Sequence, residues 1–149
     1  MLPRSRYMVG VGMILVVAMS VGLGYVTRER RAEQRDITYR GYPKYIRDHI
    51  GLDETIAYVS SSNAYLLYGS ELNRKVIYVS AEEDGFQEWV AKLKAQDVAV
   101  VAVGPLRKGK GGGGMKEFSW LQSEAGQGLF ERVYGFDVLR ETVLFRVNR

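Results

Sequence analysis

The chain lacks cysteine altogether and contains a single histidine, His49. Without cysteine it can form neither disulfide bonds nor thiolate metal sites, although this does not settle the compartment, since many exported domains also lack disulfides. One histidine cannot build a histidine-cluster metal site. A serine nucleophile would need His49 as its base, and the sequence contains no G-x-S-x-G turn. We therefore expect no metal, no cofactor and no enzymatic activity.

The excess of positive charge is also small. The formal net charge is +4, and Arg4 and Arg6 supply two of these charges, which leaves only +2 on the rest of the chain. That balance is too weak to indicate nucleic-acid binding. We expect no nucleic-acid partner.

One long stretch lacks charge completely. Tyr7 to Val26 is a run of twenty uncharged residues, which as a helix would be about 30 Å long and would match the hydrocarbon core of a bilayer. The sequence predicts a single transmembrane helix at residues 7–26, with membrane lipid around it. A cleaved signal peptide is the alternative, and the run is long for its apolar region, which is typically about 7–15 residues.

Small residues recur four positions apart within this run. Ala18 with Gly22, and Ser20 with Gly24, would lie on one helix face and let a second helix approach closely. They favour packing against other transmembrane subunits. The alternative is that Gly and Ala are simply common in membrane helices.

A basic connector is predicted at residues 27–40, between the membrane helix and a soluble α/β domain at residues 41–149. We expect its arginines to contact anionic headgroups or a partner, or else to form a solvated helix end. They outnumber Arg4 and Arg6, so the positive-inside rule favours a cytoplasmic domain. The connector arginines are Arg28, Arg30, Arg31 and Arg35.

The remaining sequence alternates between helical and strand patterns. Phe86, Trp89, Val90 and Leu93 have the spacing of an amphipathic helix, for which Asp84 offers a cap. The apolar run at 98–103 is typical of a central parallel strand covered on both faces. We predict a small Rossmann-like β-α-β-α-β domain, followed by an antiparallel hairpin. The predicted strands are 55–60, 75–80, 97–103, 129–136 and 142–147, and the helices begin near Pro43, Asn63, Asp84 and Glu117.

A polar segment follows the first predicted strand. Ligands tend to bind where the strands of open α/β sheets end, which makes this segment a candidate ligand site. Capping of the next helix is the alternative explanation. The residues are Ser60, Ser61, Ser62 and Asn63.

A basic, glycine-rich loop follows the third predicted strand. Gly104 to Lys110 has the spacing of a P-loop, but Gly111 stands where a Ser or Thr would hold Mg²⁺. We also do not expect Gly112 to Gly114 to open a phosphate-binding helix. The sequence favours a surface loop whose cations contact headgroups or an acidic partner. These cations are Arg107, Lys108, Lys110 and Lys116.

From Tyr45 onward the chain resembles the C-terminal soluble domain of membrane glycosyltransferases of the GT-C type, similar to the dolichyl-phosphate-mannose–protein mannosyltransferases. The segments that carry the resemblance are Glu54–Tyr58, Ala64–Gly69, Lys75–Val79, Trp89–Leu93, Val98–Val103, Leu129–Tyr134 and Thr142–Val147. The family's catalytic acidic residue lies in an early loop between membrane spans, and this chain has no counterpart of that loop. The resemblance implies an extracytoplasmic domain that does not itself catalyse transfer, in conflict with the positive-inside count.

These observations together predict a non-catalytic, single-span accessory or scaffolding subunit of a larger membrane complex, with the domain on the extracytoplasmic side. Two alternatives stay open. One is a separately encoded piece of a membrane glycosyltransferase, and the other is a small-ligand binding module that uses Ser60 to Asn63.

Overall fold

A computed structural model of the 149-residue chain describes residues 19, 24, 26–27, 30–31, 33–34, 38–39, 41–60, 63–69, 72–106 and 114–148. The chain divides into two compact units, residues 1–38 and 39–149. Of the predicted membrane span at 7–26, only Met19, Gly24 and Val26 are described, and all three are helical. The rest of that span lies outside the described residues. Within the described part of the chain, no helix is both long and apolar enough to cross a membrane.

The second unit is an α/β domain whose elements alternate as the sequence predicts. Their bounds are α1 Tyr42–His49, β1 Thr55–Tyr58, a 3-10 helix Ala64–Tyr68, β2 Val76–Tyr78, α2 Phe86–Ala95, β3 Val98–Val103, α3 Met115–Gln122, α4 Glu124–Gln127, β4 Phe130–Tyr134 and β5 Val143–Val147.

The five strands form one mixed sheet in the order β2-β1-β3-β5-β4. β1 pairs in parallel with both β2 and β3, while β5 runs antiparallel to β3 and to β4. The α/β class and the antiparallel pair at one edge are therefore confirmed. β3 is the central strand and is buried along its whole length, because its Val and Ala side chains are apolar on both faces of the sheet.

Each face of the sheet is covered by its own helices. α1 and the 3-10 helix pack on one face, where Ile46 and Leu67 belong to the same buried cluster as Val100 and Ala102 of β3. α2 and α3 pack on the other face through a cluster that includes Trp89, Leu93 and Leu121. Trp89 is fully buried, and its Nε1 donates to the Val79 carbonyl at 3.2 Å. Its replacement by Ala would cost about 3–5 kcal/mol.

Two helix starts differ from the prediction. The N-cap of α2 is Gly85, not Asp84, because the Glu88 carboxylate reaches back to accept the Gly85 N–H at 2.8 Å. Asp84 pairs instead with Lys92. α3 begins directly after Gly114, which takes the left-handed conformation (φ 89°) and serves as the N-cap. The helix therefore begins two residues earlier than the predicted start at Glu117.

Two helices are also shorter than predicted. The segment after Asn63 forms only a five-residue 3-10 helix, which ends at Gly69 with φ 77°. The helix predicted to begin near Glu117 is followed by a separate helix, because Ser123 has extended backbone and starts α4 by accepting the Gly126 N–H at 3.2 Å.

Candidate functional site

Several loops of the domain meet at one edge of the sheet, which we call the carboxyl edge. It comprises residues 59–60 and 63 after β1, 79–85 after β2, 104–106 and 114 after β3, and the 135–142 loop between β4 and β5. β5 runs against β3, so the loop that precedes β5 lies beside the loop that follows β3. The opposite side, where α1 ends and β1 begins, is the amino edge.

The two central parallel strands form a topological switch point. β1 leads into the 3-10 helix on one face, whereas the neighbouring β3 leads into α3 on the other. Connections that diverge in this way leave a crevice between the strand ends, and open α/β sheets bind ligands there. Ser60 and Asn63 lie at this point, as the sequence predicts for a ligand site. Asn63 occupies the N-cap position of the 3-10 helix, yet its side chain makes no capping bond.

The loops after β1 and β3 approach each other closely in this crevice. The Gly104 N–H donates to the Ser60 carbonyl at 2.7 Å. A Cβ on Gly114 would lie 2.6 Å from the Ser60 Cβ and 2.8 Å from Leu106 Cδ2. Only glycine fits at 114, because of this contact and its left-handed φ. The amino terminus of α3 is thereby held against Ser60.

Buried hydroxyl groups join the crevice to the rest of the edge. Thr142 Oγ1 donates to the Gly104 carbonyl at 3.1 Å, and the Tyr42 hydroxyl donates to the Asn63 carbonyl at 3.2 Å. Burial raises the pKa of Tyr42 well above its usual range, and its hydrogen bond with Thr142 only partly opposes this shift. Tyr42 therefore stays protonated and acts as a fixed donor that orients Asn63.

The first turn of α3 fastens the loop after β2. Glu117 is only 3% exposed, and its carboxylate accepts the Ala81 N–H at 2.8 Å. Lys116 Nζ donates to the carbonyls of Ala81 (3.2 Å) and Asp84 (2.8 Å) and lies 5.0 Å from the centre of the Trp120 ring. From the sequence, Lys116 was expected to contact headgroups or an acidic partner and Glu117 to start a helix, and neither was expected to hold the loop after β2. An acidic residue in the first turn of a helix was the available signal.

A shallow pocket opens at the outer corner of this edge. Its volume is about 360 Å³. Phe136 projects from it with 78% of its surface exposed, and the Arg132 guanidinium lies 4.8 Å from the centre of the Phe136 ring. The lining residues are Arg132, Val133, Tyr134, Gly135, Phe136 and Glu141.

His49 does not belong to this edge. It lies at the end of α1, on the amino edge, where its ring stacks on Tyr45 with centroids 4.4 Å apart. Ser60 and His49 are therefore at opposite ends of the sheet and do not form a nucleophile–base pair. Among the described residues, no cluster of three or more His, Cys, Asp or Glu side chains could hold a metal ion.

Most of the other predicted contact residues lie outside the described part of the chain. Gly24, Arg30 and Arg31 are described, and all three are helical and exposed. The basic segment 107–113 connects Leu106 to Gly114, both of which lie at the carboxyl edge. The predicted site residues outside the described ranges are Ala18, Ser20, Gly22, Arg28, Arg35, Ser61, Ser62, Arg107, Lys108 and Lys110.

No protein-family model, curated protein or solved structure matches this chain. The resemblance to the soluble domain of GT-C glycosyltransferases therefore stays a prediction.

Proposed function

We propose that this chain is a non-catalytic accessory subunit of a larger membrane complex, held by one span at residues 7–26, with its α/β domain on the extracytoplasmic side. The observation that carries the proposal is the uncharged run of twenty residues upstream of an independently packed domain. A helix of that length matches the thickness of a bilayer and is longer than a typical buried core helix.

The way in which the chain joins the domain supports membrane attachment. Tyr39 is the first described residue of the domain unit, and its hydroxyl lies 2.8 Å from that of Tyr65 at the carboxyl edge. Leu106 and Gly114, which flank the basic segment with Arg107, Lys108 and Lys110, lie at the same edge. The first described residue of the domain unit and both flanks of the basic segment therefore share one edge, which supports a surface near anionic headgroups or acidic partner subunits.

In this proposal the span packs against a transmembrane helix of another subunit. Ala18 with Gly22, and Ser20 with Gly24, give the span a face of small residues, and packing drives helix association in lipid. Mild-detergent purification of the full chain is expected to recover partners in fixed stoichiometry. A clean monomer would contradict the subunit role.

Carbonate extraction tests the anchor itself. The full-length, uncut chain is expected to stay in the membrane pellet. Replacement of both Leu15 and Val16 by Arg should release it, because each charge at the centre of a span costs about 2.5–3.5 kcal/mol. Leu52→Arg, on the exposed surface of the domain, is the matched control and should stay in the pellet. Release of the unmodified chain would reject the proposal.

A second candidate function is a small-ligand binding module. The switch point between β1 and β3, with Ser60 and Asn63 at its mouth, favours it. A ligand that raises the melting temperature should do so less in the Ser61→Ala, Ser62→Ala double variant. If a screen of small anions and metabolites raises the melting temperature of neither protein, this candidate is rejected.

A further inference from the structure

The loop between β4 and β5 holds two apolar side chains out in solvent. Phe136 is 78% exposed and Leu139 is 40% exposed. Both stand at the carboxyl edge, on the side of the sheet away from β2. Large apolar side chains that a protein keeps exposed together are typical of contact surfaces.

Hydrogen bonds within the 135–142 loop fix the backbone on which Phe136 and Leu139 are exposed. Glu141 Oε1 accepts the N–H groups of Phe136 (2.8 Å) and Asp137 (3.2 Å), and Asp137 Oδ1 accepts the Leu139 N–H at 3.0 Å. Gly135 starts the turn with φ 76°, and a Cβ there would lie 2.9 Å from the Thr142 carbonyl oxygen. Asp137 and Glu141 thus accept hydrogen bonds from the loop's own backbone, Val138 is buried in the core, and Phe136 and Leu139 stay exposed.

A cation accompanies the exposed aromatic ring. The Arg132 guanidinium lies 4.8 Å from the centre of the Phe136 ring. An aromatic ring that enters the interfacial layer of a bilayer is stabilised by burial of its apolar surface. A guanidinium beside it can bind the lipid phosphates. Tyr39 and Tyr65, whose hydroxyls are 2.8 Å apart, add an aromatic pair at the same edge, and Tyr65 is 55% exposed.

We propose that Phe136 and Leu139, with Arg132 and the Tyr39–Tyr65 pair, form a lipid-contacting surface that docks the carboxyl edge onto the bilayer interface. The inference rests on the membrane anchor of the proposed function. The domain unit begins at Tyr39, whose hydroxyl lies 2.8 Å from that of Tyr65 at the carboxyl edge. The uncharged run at 7–26 precedes that point by twelve residues.

The absence of cysteine makes the test direct, because one introduced cysteine gives one labelled site. Phe136→Cys reports on the docking loop. Leu52→Cys is the matched control, since Leu52 is 58% exposed at the amino edge. Each full-length variant is labelled with an environment-sensitive fluorophore and reconstituted into phosphatidylcholine vesicles that contain a minority of phosphatidylglycerol. Headgroup-nitroxide lipids then serve as quenchers, and Leu139→Cys repeats the measurement from a second loop position.

Quenching at positions 136 and 139 is expected to be several-fold stronger than at position 52. Equal, weak quenching at all three positions in a carbonate-resistant protein would overturn this inference and leave the anchor intact. Strong quenching at position 52 alone would overturn it as well. If carbonate releases the reconstituted chain, the proposed function fails, and this inference fails with it.

Discussion

Charged side chains close the amino edge of the sheet, whereas the carboxyl edge displays exposed aromatic rings. At the amino edge, Arg74 donates to the carbonyls of Gly51 (2.7 Å) and Ile46 (3.2 Å), and Arg146 pairs with Glu54 at 2.7 Å. At the carboxyl edge, Phe136 and Tyr65 are more than half exposed. Buried and paired arginine side chains stabilise the amino edge, whereas exposed aromatic rings are found at the carboxyl edge.

The largest effect is expected at the amino edge. Arg74 is only 7% exposed, and Arg74→Ala would remove two charge-assisted hydrogen bonds, to the carbonyls of Gly51 and Ile46. We expect a loss of about 3–4 kcal/mol in the free energy of unfolding, measured by denaturant titration of the full chain in detergent.

Arg140→Ala is the matched control from the carboxyl edge. Its ion pair with Asp137 is at 3.3 Å and the Arg140 side chain is 73% exposed, so the loss should be below about 1 kcal/mol. Equal losses in the two variants would show that the edges do not differ as described.

The next effect concerns the crevice. Gly114→Val would force a β-branched residue into a left-handed φ and against Ser60, and we expect a loss of about 2–3 kcal/mol. Gly128→Ala is the control, because no atom lies within 4 Å of a Cβ there and its φ is −77°. Thermal unfolding of both variants checks the difference, and an unchanged melting temperature in Gly114→Val would contradict the close contact.

A smaller effect is expected at Glu117. Glu117→Ala leaves the buried Ala81 N–H without its acceptor, at a cost of about 1–2 kcal/mol. Glu117→Gln keeps an acceptor oxygen and should lose less. Hydrogen exchange at the Ala81 amide distinguishes them: exchange should accelerate strongly in Glu117→Ala and only slightly in Glu117→Gln. Equal acceleration would show that the carboxylate charge, not the hydrogen bond, matters.

The smallest effect on stability is expected at Phe136. Since its ring is 78% exposed, Phe136→Ser should change the free energy of unfolding by less than about 0.5 kcal/mol. A loss above about 2 kcal/mol in a denaturant titration would mean that the ring stabilises the fold. That result would contradict its assignment to the lipid-contacting surface.

The strands and the amphipathic helix were predictable because their signals are local. The run Val98–Val103 and the spacing of Trp89 and Leu93 are visible in the sequence itself. The contact between Gly114 and Ser60 was not predictable, since it joins residues 54 positions apart. Arg74 was missed for another reason: a charged residue is expected at the surface, and only the end of α1 supplies the carbonyls that let it be buried.

The site was predictable in part. Ser60 and Asn63 follow from the rule that ligands bind where parallel strands end. The exposed loop at Phe136 and the clamp formed by Lys116 and Glu117 depend on which elements become neighbours in the sheet and on the path of α3. No local pattern contains that information.

Sidedness labelling in intact cells tests the central claim, a single span with an extracytoplasmic domain, most directly. Ser5→Cys and Leu52→Cys place one thiol on each side of the uncharged run in a chain without other cysteines. A membrane-impermeant maleimide should label position 52 and leave position 5 unlabelled until the membrane is opened. Labelling of position 5 alone would show the opposite topology, with the domain on the cytoplasmic side. Equal labelling of both positions from outside would show that residues 7–26 do not cross the membrane.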